Sequence, residues 1–388
     1  MMRMNCFAAG VAAIFSGVAC AEASSVVLYG IADVGVEYVT NANGTDKSLV
    51  HMRSGNLSGS RFGLRVNEDL GNSVKAIATL EAGFNMGNGT SAQNNRLFGR
   101  QAFVGIASPA GSVTLGRQYS SIYDIMSNYD PMDYADYGVL SHDSGMMARA
   151  DKALKYTGKF DDVTVTGFYS FGRDKDVAPG EIPGDAESGR QWGLGVNYEA
   201  GGFGFGVAYD SLNNPSTVDI INSSALTQRQ LTFNSGSDKT ARRIAVGTSY
   251  NVGPVKLFLG YRNLKTDYSY QTYVPPGIPV PPFLVSGDLT YKSNLYWGGV
   301  KWQATPETVL TAAVHHSQNK ASIPNVTSYV LAADYKLSKR TDIYTNLSYI
   351  KNRSQATGWG TNWGVNAGEQ TMSGKNQTGV QVGVRHRF

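Results

Sequence analysis

The sequence predicts an all-β protein, a transmembrane β-barrel of sixteen antiparallel strands that form one domain. Three observations predict this fold: an export signal, an end-to-end alternation of apolar and polar residues, and connections that alternate between short and long. The composition agrees, because charged residues are only 16% of the chain, against about 25% in ordinary globular proteins. Glycine is abundant at 45 of 388 residues and tyrosine is the commonest aromatic residue at 22, as expected of a barrel with aromatic girdles.

Residues 1–23 are typical of a secretory signal peptide. Arg3 supplies the positive start, and residues 6–19 form an apolar run that is too short to cross a bilayer. The small residues that follow predict cleavage after Ala21 or Ala23. The mature chain would then be a single barrel domain of residues 24–388.

The two cysteines, Cys6 and Cys20, both lie in this signal segment, so the mature chain has no disulfide and no cysteine-bound metal. A lipidated N-terminus at Cys20 is an alternative, although the usual leucine three positions upstream is Gly17 here. No later segment has the roughly 20 continuous apolar residues of a transmembrane helix. For an exported chain with a strand-like pattern, the remaining membrane structure is a closed barrel.

Apolar and polar residues alternate with the period of a strand throughout the mature chain. Phe62, Leu64 and Val66 share one face of their run, while Arg61 lies on the other. Alternation of this kind separates a lipid-facing surface from a wet interior. The sixteen predicted runs are 26–39, 49–67, 73–86, 96–107, 111–118, 150–160, 163–172, 190–199, 203–210, 240–251, 255–265, 288–302, 307–317, 326–336, 341–350 and 378–388.

The connections between these runs alternate in length. Short ones such as 68–72 and 251–254 consist of turn residues, chiefly Gly, Asn, Asp and Pro. Long ones are polar, and they include 119–149 and the proline-dense stretch 275–283. Short periplasmic turns that alternate with long external loops characterise outer-membrane barrels, and an even strand number lets the sheet close without an exposed edge.

Four stretches of the chain resemble the trimeric general porins of Gram-negative bacteria, especially the β-proteobacterial and neisserial type. They are 24–33, 59–64 with the turn 68–71, 99–105 followed by 111–118, and the terminal Phe388. The resemblance implies a sixteen-stranded barrel, a homotrimer, and a long third loop, at about 119–149, that folds into the pore. It also implies that Phe388 is the signal read by the outer-membrane assembly machinery.

A porin of this kind lets small hydrophilic solutes and ions diffuse passively through a water-filled channel of the outer membrane. It is not an enzyme, and we expect no catalytic residue, cofactor, metal or nucleic-acid partner. Its other partners would be outer-membrane lipid and lipopolysaccharide. A substrate-specific channel is the main alternative function and would show saturable block by one solute. An outer-membrane enzyme would show turnover, and an adhesive barrel would show no ion conductance.

In a porin, solutes are selected at a narrow point where charged groups face the water path. The family pattern places arginines of the pore wall at the positions of Arg61, Arg100 and Arg149. Strand parity also turns Arg61 inward, and Arg117 follows the same strand logic. We therefore predict a basic wall of these four arginines. The alternative is that each is an ordinary arginine hydrated by channel water.

The opposite side of the constriction would come from carboxylates of the third loop. The candidates are Asp124, Asp130, Asp133, Asp136 and Asp143, with Asp133 and Asp136 expected first because they lie in the middle of the loop. An external loop with solvated acids is the alternative. Some enterobacterial porins carry a basic residue where this chain has Ile31, so the basic wall loses one member. With a net charge of +4, we expect a weak preference for anions.

Overall fold

The computed structural model describes residues 24–42, 45–172, 189–213, 231–232, 240–272, 286–319, 325–352, 371 and 374–388. The predicted signal peptide, its cleavage site and the proline-dense stretch 275–283 lie outside these ranges. Within them, no helix has both the length and the apolar character needed to cross a membrane.

The described ranges contain eighteen strands in one closed antiparallel sheet. The strands are β1 (Ser25–Val39), β2 (Leu49–Ser54), β3 (Arg61–Gly71), β4 (Val74–Gly83), β5 (Gln101–Ser108), β6 (Gly111–Tyr119), β7 (Arg149–Phe160), β8 (Val163–Ser170), β9 (Gln191–Ala200), β10 (Phe203–Asn213), β11 (Leu231–Thr232), β12 (Thr240–Val252), β13 (Val255–Thr272), β14 (Ser286–Gln303), β15 (Thr308–Asn319), β16 (Val326–Lys336), β17 (Thr341–Lys351) and β18 (Gln377–Arg387). The helical pieces are α1 (Ala92–Asn95), α2 (Ser121–Met126) and three 3-10 turns, Ser127–Tyr129, Val139–Ser141 and Ser144–Met147.

The eighteen strand segments correspond to sixteen strands of the barrel, as predicted. Strands β2 and β3 pair with the two halves of β1 and are therefore two parts of one barrel strand. Strand β11 is a two-residue piece that pairs with β13. The barrel closes where β1 pairs with β18. At this seam the backbone N–H of Gly30 donates to Phe388 at 2.9 Å, and the N–H of Phe388 donates back at 3.1 Å.

The predicted continuous strand at 49–67 was wrong, because the chain leaves the ladder between β2 and β3. Gly55 has a φ of +81°, which turns the backbone out of the strand. The backbone N–H groups of Leu57 and Ser58 then donate to the carboxylate of Asp33, at 3.0 and 2.7 Å. Asp33 is fully buried, so its carboxylate requires these donors, and they come from the interrupted strand.

The two faces of the sheet differ as the alternation predicts. On β15, Val314 is 41% exposed, whereas Thr311 and His315 on the opposite face are buried. Exposed Leu, Val, Tyr, Phe and Trp side chains recur on the outer face of strands all around the barrel. This apolar outer face and polar inner face fit a sheet with lipid outside and water inside.

The connection between β6 and β7, residues 120–148, is the exception to the exposed loops. Its side chains Ile122, Ile125, Met126 and Tyr129 are at most 1% exposed. They pack against inward-facing residues of the distant barrel wall, including Ala208, Ala245, Leu295 and Trp297. We call residues 120–148 the docked segment.

Candidate pore constriction

Three of the four predicted arginines gather around one phenol at the end of β6. The guanidinium groups of Arg100 and Arg149 each donate to the hydroxyl of Tyr119, at 2.8 Å. Arg149 also lies over the Tyr119 ring, 4.6 Å from its centroid. Arg61 donates to the carbonyl of Gly59 at 2.9 Å. A side chain on Gly59 would come within 3.0 Å of Arg100, so this glycine lets Arg61 and Arg100 approach one another.

The strand ends place this group at one level of the barrel. Arg61 begins β3, Arg149 begins β7 and Tyr119 ends β6, while Arg100 immediately precedes β5. Tyr119 and Arg149 are also direct partners across the β6–β7 ladder. Because each residue lies a similar number of residues from a short turn, neighbouring strands bring their side chains together.

The charge of Arg100 is compensated by Glu81, and those of the other two arginines are not. Arg100 donates to the Glu81 carboxylate at 2.7 Å, and both side chains are almost completely buried. Tyr29 donates to the second carboxylate oxygen of Glu81 at 3.0 Å. Arg61 and Arg149 form no ion pair within the part of the chain that the structure describes. They therefore supply the free positive charge of this group.

Arg117 lies outside the group. Its guanidinium donates to Asp151 at 2.7 Å and to the carbonyl of Gly99 at 2.8 Å. Asp151 also accepts from Arg96 at 2.8 Å. The β6–β7 ladder is irregular between Gly116 and Gln118, so simple strand parity does not hold at the position of Arg117.

The docked segment presents tyrosines to the arginines. Tyr123 stacks on Tyr119 with ring centroids 3.8 Å apart, and Tyr134 meets Tyr123 edge to face at 5.5 Å. Sequence reasoning passed over Tyr119 as the centre of this group. Its position at the end of a strand, directly before the long loop, was the available signal.

Two candidate acids of the docked segment contact lysines of the barrel wall instead of the arginine group. Asp124 forms an ion pair with Lys155 on β7, and Asp133 forms one with Lys301 on β14. Burial raises the pKa of Asp124, and the nearby ammonium group of Lys155 opposes this rise. The Asp133 side chain is 71% exposed, so its pair is open to solvent.

Two more of the five candidates, Asp130 and Asp136, also have partners. Asp136 accepts from Arg53 on β2 at 2.6 Å. Asp130 is fully buried, and its carboxylate accepts from the backbone N–H groups of Met132 and Tyr134 at 3.2 and 2.9 Å. Asp130 therefore organises the turn of the segment itself.

Asp143, near the end of the docked segment, lies between two buried arginines of the barrel wall. Arg243 donates to Asp143 at 3.1 Å, and the guanidinium of Arg262 lies 2.8 Å from the same oxygen. Although burial alone would raise the pKa of Asp143, these two guanidiniums lower it. Sequence reasoning missed both arginines, because parity turns them inward but does not identify what they meet.

This group gathers positive charge on one part of the barrel wall. Arg61 and Arg149 leave positive charge on the inward side of the wall, and low-dielectric surroundings concentrate the field of such charges. Guanidinium groups stay charged at any ordinary pH. The side chains that face them from the docked segment are neutral phenols.

Comparison with known proteins identifies the family. The family model for Gram-negative porins matches residues 8–355. An outer membrane porin protein of Bordetella pertussis is 31% identical over 431 aligned residues and covers 100% of both chains. Outer membrane porin protein 32 of Delftia acidovorans is 30% identical over 387 residues, with 96% of each chain covered.

Solved structures share the fold. An anion-selective porin from Comamonas acidovorans matches with a TM-score of 0.74 and 24% identity, over 94% of this chain and 100% of that one. An in-vitro-folded outer membrane protein of Vibrio cholerae, in its trimer form, matches with a TM-score of 0.62 and 16% identity, over 95% and 100%. With its closed sixteen-stranded barrel and a family match along most of its length, this chain belongs to the Gram-negative porin family and forms a passive channel of the outer membrane.

Proposed function

We propose that this porin is a general diffusion channel for small hydrophilic solutes and ions, with a weak preference for anions. The single observation that carries the preference is the pair of uncompensated guanidiniums, Arg61 and Arg149, beside Tyr119. The constriction is the space between these arginines and the tyrosines of the docked segment.

The proposal requires that the docked segment lies in the pore and narrows it. Its contacts support this requirement. Tyr129 donates to Asn197 on β9, the indole N–H of Trp297 on β14 donates to the Tyr129 carbonyl at 2.8 Å, and His142 bonds to Ser317 on β15. These barrel residues are buried on the polar face of the sheet, which supports a segment that lies against the inner surface.

Most carboxylates of the segment are paired with basic residues of the barrel wall, and this pairing weakens their attraction for cations. Asp124, Asp133, Asp136 and Asp143 each contact a lysine or arginine of the wall. An acid that is already paired attracts fewer cations from the channel water than a free one. The expected opposition of acids and arginines thus becomes an opposition of tyrosines and arginines.

Reversal potentials of single channels in a salt gradient test this proposal. We expect the wild type to favour chloride over potassium and the double variant Arg61→Gln, Arg149→Gln to lose that preference. Arg117→Gln removes one positive charge near Asp151 and serves as the control, with a smaller shift. An unchanged reversal potential in the double variant would rule out the assigned constriction.

Arg100 is the less informative residue to substitute. Its removal leaves the buried carboxylate of Glu81 without its guanidinium partner, and an unpaired buried charge perturbs the structure itself. In the same recordings, current that rises linearly with salt supports a general channel. Saturation by one solute would favour the substrate-specific alternative.

We also propose that the chain forms a homotrimer surrounded by lipid and lipopolysaccharide, and that Phe388 directs its assembly in the outer membrane. The trimer form of the Vibrio cholerae protein with the same fold supports the first part. The outward-facing apolar side chains provide the lipid-facing surface. Stepwise openings in groups of three would support three pores in each particle, and single steps only would contradict it.

A further inference from the structure

A cavity of about 330 Å³ lies between Pro131 of the docked segment and the short turn at Pro254. It is at the short-turn end of the barrel, which faces the periplasm in outer-membrane proteins. The charged side chains that line it are Lys256, Lys301, Arg385, Asp133 and Asp334. This cavity is separate from the group around Tyr119.

Two of these side chains, Lys256 and Lys301, are direct partners on β13 and β14. Both ammonium groups lie over the ring of Phe258, at 5.1 and 5.7 Å from its centroid. Phe258 is 3% exposed and lies on the inward face of β13, so both lysines point into the barrel. Like charges directly opposite one another destabilise a sheet, so strand stability does not explain this pair.

The positive charges in the cavity differ in how they are compensated. Arg385 is held by Asp334 at 2.8 Å and also contacts Asp342. Lys301 contacts the carboxylate of Asp133. Lys256 forms no ion pair within the ranges that the structure describes. The uncompensated charge of the cavity therefore lies on the lysine pair.

Among the described residues, the carboxylate that contacts this pair is that of Asp133, and it is open to solvent. The Asp133 side chain is 71% exposed, and exposed ion pairs are weak and are screened by salt. An anion from solution can therefore take the place of Asp133 beside Lys301 while it also contacts Lys256.

We propose that Lys256 and Lys301 form a binding station for small oxyanions, such as inorganic phosphate and short carboxylates, on the periplasmic side of the constriction. This inference rests on the proposed function, since it places a second anion site in series with Arg61 and Arg149. An anion that leaves the arginines is received by two ammonium groups, and Asp133 is displaced while the anion is bound.

Block of chloride current by inorganic phosphate tests the proposal in planar bilayers. Phosphate is added to one compartment at a time, and the half-blocking concentration is measured for single channels. We expect wild-type block to be stronger from one side. The double variant Lys256→Gln, Lys301→Gln should raise the half-blocking concentration on that side about fivefold or more.

Two further variants sharpen the test. Asp133→Asn removes the competing carboxylate and should lower the half-blocking concentration. Lys159→Gln, at an exposed position outside the cavity, is the matched control and should leave it unchanged.

The outcomes separate this proposal from the proposed function. Absence of phosphate block, or equal block of the wild type and the double-lysine variant, overturns the lysine station while an anion-selective chloride current persists. Block that weakens equally in Lys159→Gln also overturns it, because the effect would then be one of overall charge. A wild-type channel that shows no preference for chloride would instead contradict the proposed function.

Discussion

The interior of this barrel has two sides, one that carries the arginine group around Tyr119 and one that carries inward-facing glycines. The arginine side, formed by β3 to β7, carries Arg61, Arg149 and the Glu81–Arg100 pair. The glycine side, formed by β9 to β14, presents inward glycines at the places where the docked segment lies. These are Gly195, Gly206, Gly247 and Gly299.

The glycines explain why the segment lies on one side and not the other. A Cβ atom at Gly247 would lie 2.5 Å from Tyr129, and one at Gly195 would lie 2.5 Å from Ile125. Such distances are well inside van der Waals contact, so any larger residue would push the segment away. Missing side chains on one wall therefore make room for the segment there, and the arginine group lies on the other wall.

Removal of the Asp143 carboxylate is the strongest way to break this arrangement. Asp143→Asn takes the shared carboxylate away from Arg243 and Arg262, whose side chains are each 1% exposed, and a broken buried ion pair costs about 3–5 kcal/mol. We expect a large fall in the thermal unfolding temperature and noisy, larger channels. Asp133→Asn, at an exposed pair worth about 0–1 kcal/mol, is the matched control. Equal unfolding temperatures for the two variants would contradict a role of Asp143 in holding the docked segment to the barrel wall.

Substitution on the glycine side should have an intermediate effect. Gly247→Ala places a methyl group against the Tyr129 ring, and overpacking of this kind costs about 1–3 kcal/mol. We expect single-channel conductance to rise as the segment shifts away from the wall. Gly298→Ala is the control, because its added carbon meets the flexible end of Leu259 at 3.1 Å. A rise in conductance in both variants would show that the position of the segment does not depend on the glycine side.

Loss of the Tyr119 hydroxyl should have the smallest effect and tests the arginine side. Tyr119→Phe removes hydrogen bonds from Arg100 and Arg149, worth about 0.5–1.5 kcal/mol each, but leaves the ring beneath Arg149 and every positive charge. We expect a small loss of stability and an unchanged preference for anions in reversal-potential measurements. Loss of that preference, as large as in the double arginine variant, would mean that orientation matters more than charge.

The barrel and the inward direction of Arg61 could be predicted because both follow from local alternation. The interruption between β2 and β3 could not, since it depends on Asp33, which is far away in sequence and accepts from the displaced backbone. Local parity says that a side chain points inward, and nothing more. For this reason it did not pair Asp133 with Lys301, or Asp143 with Arg243.

The predicted basic wall illustrates the same limit. Arg61, Arg100 and Arg149 come together because strand lengths bring them to one level. Arg117 does not join them, because the ladder is irregular at Gly116. An irregularity of one residue reverses parity and leaves no clear mark in the composition. The role of these arginines in selecting solutes stays a prediction.

The fit between the docked segment and its inward glycines has a consequence for the evolution of permeability. A barrel of fixed circumference can be given a wider or narrower passage by changes at a few inward glycine positions, without any change in strand number. Such changes leave the lipid-facing surface untouched, so membrane insertion and solute passage can diverge independently. Porins that descend from one ancestral barrel could thus differ in the solutes that they let pass while they keep the same barrel architecture.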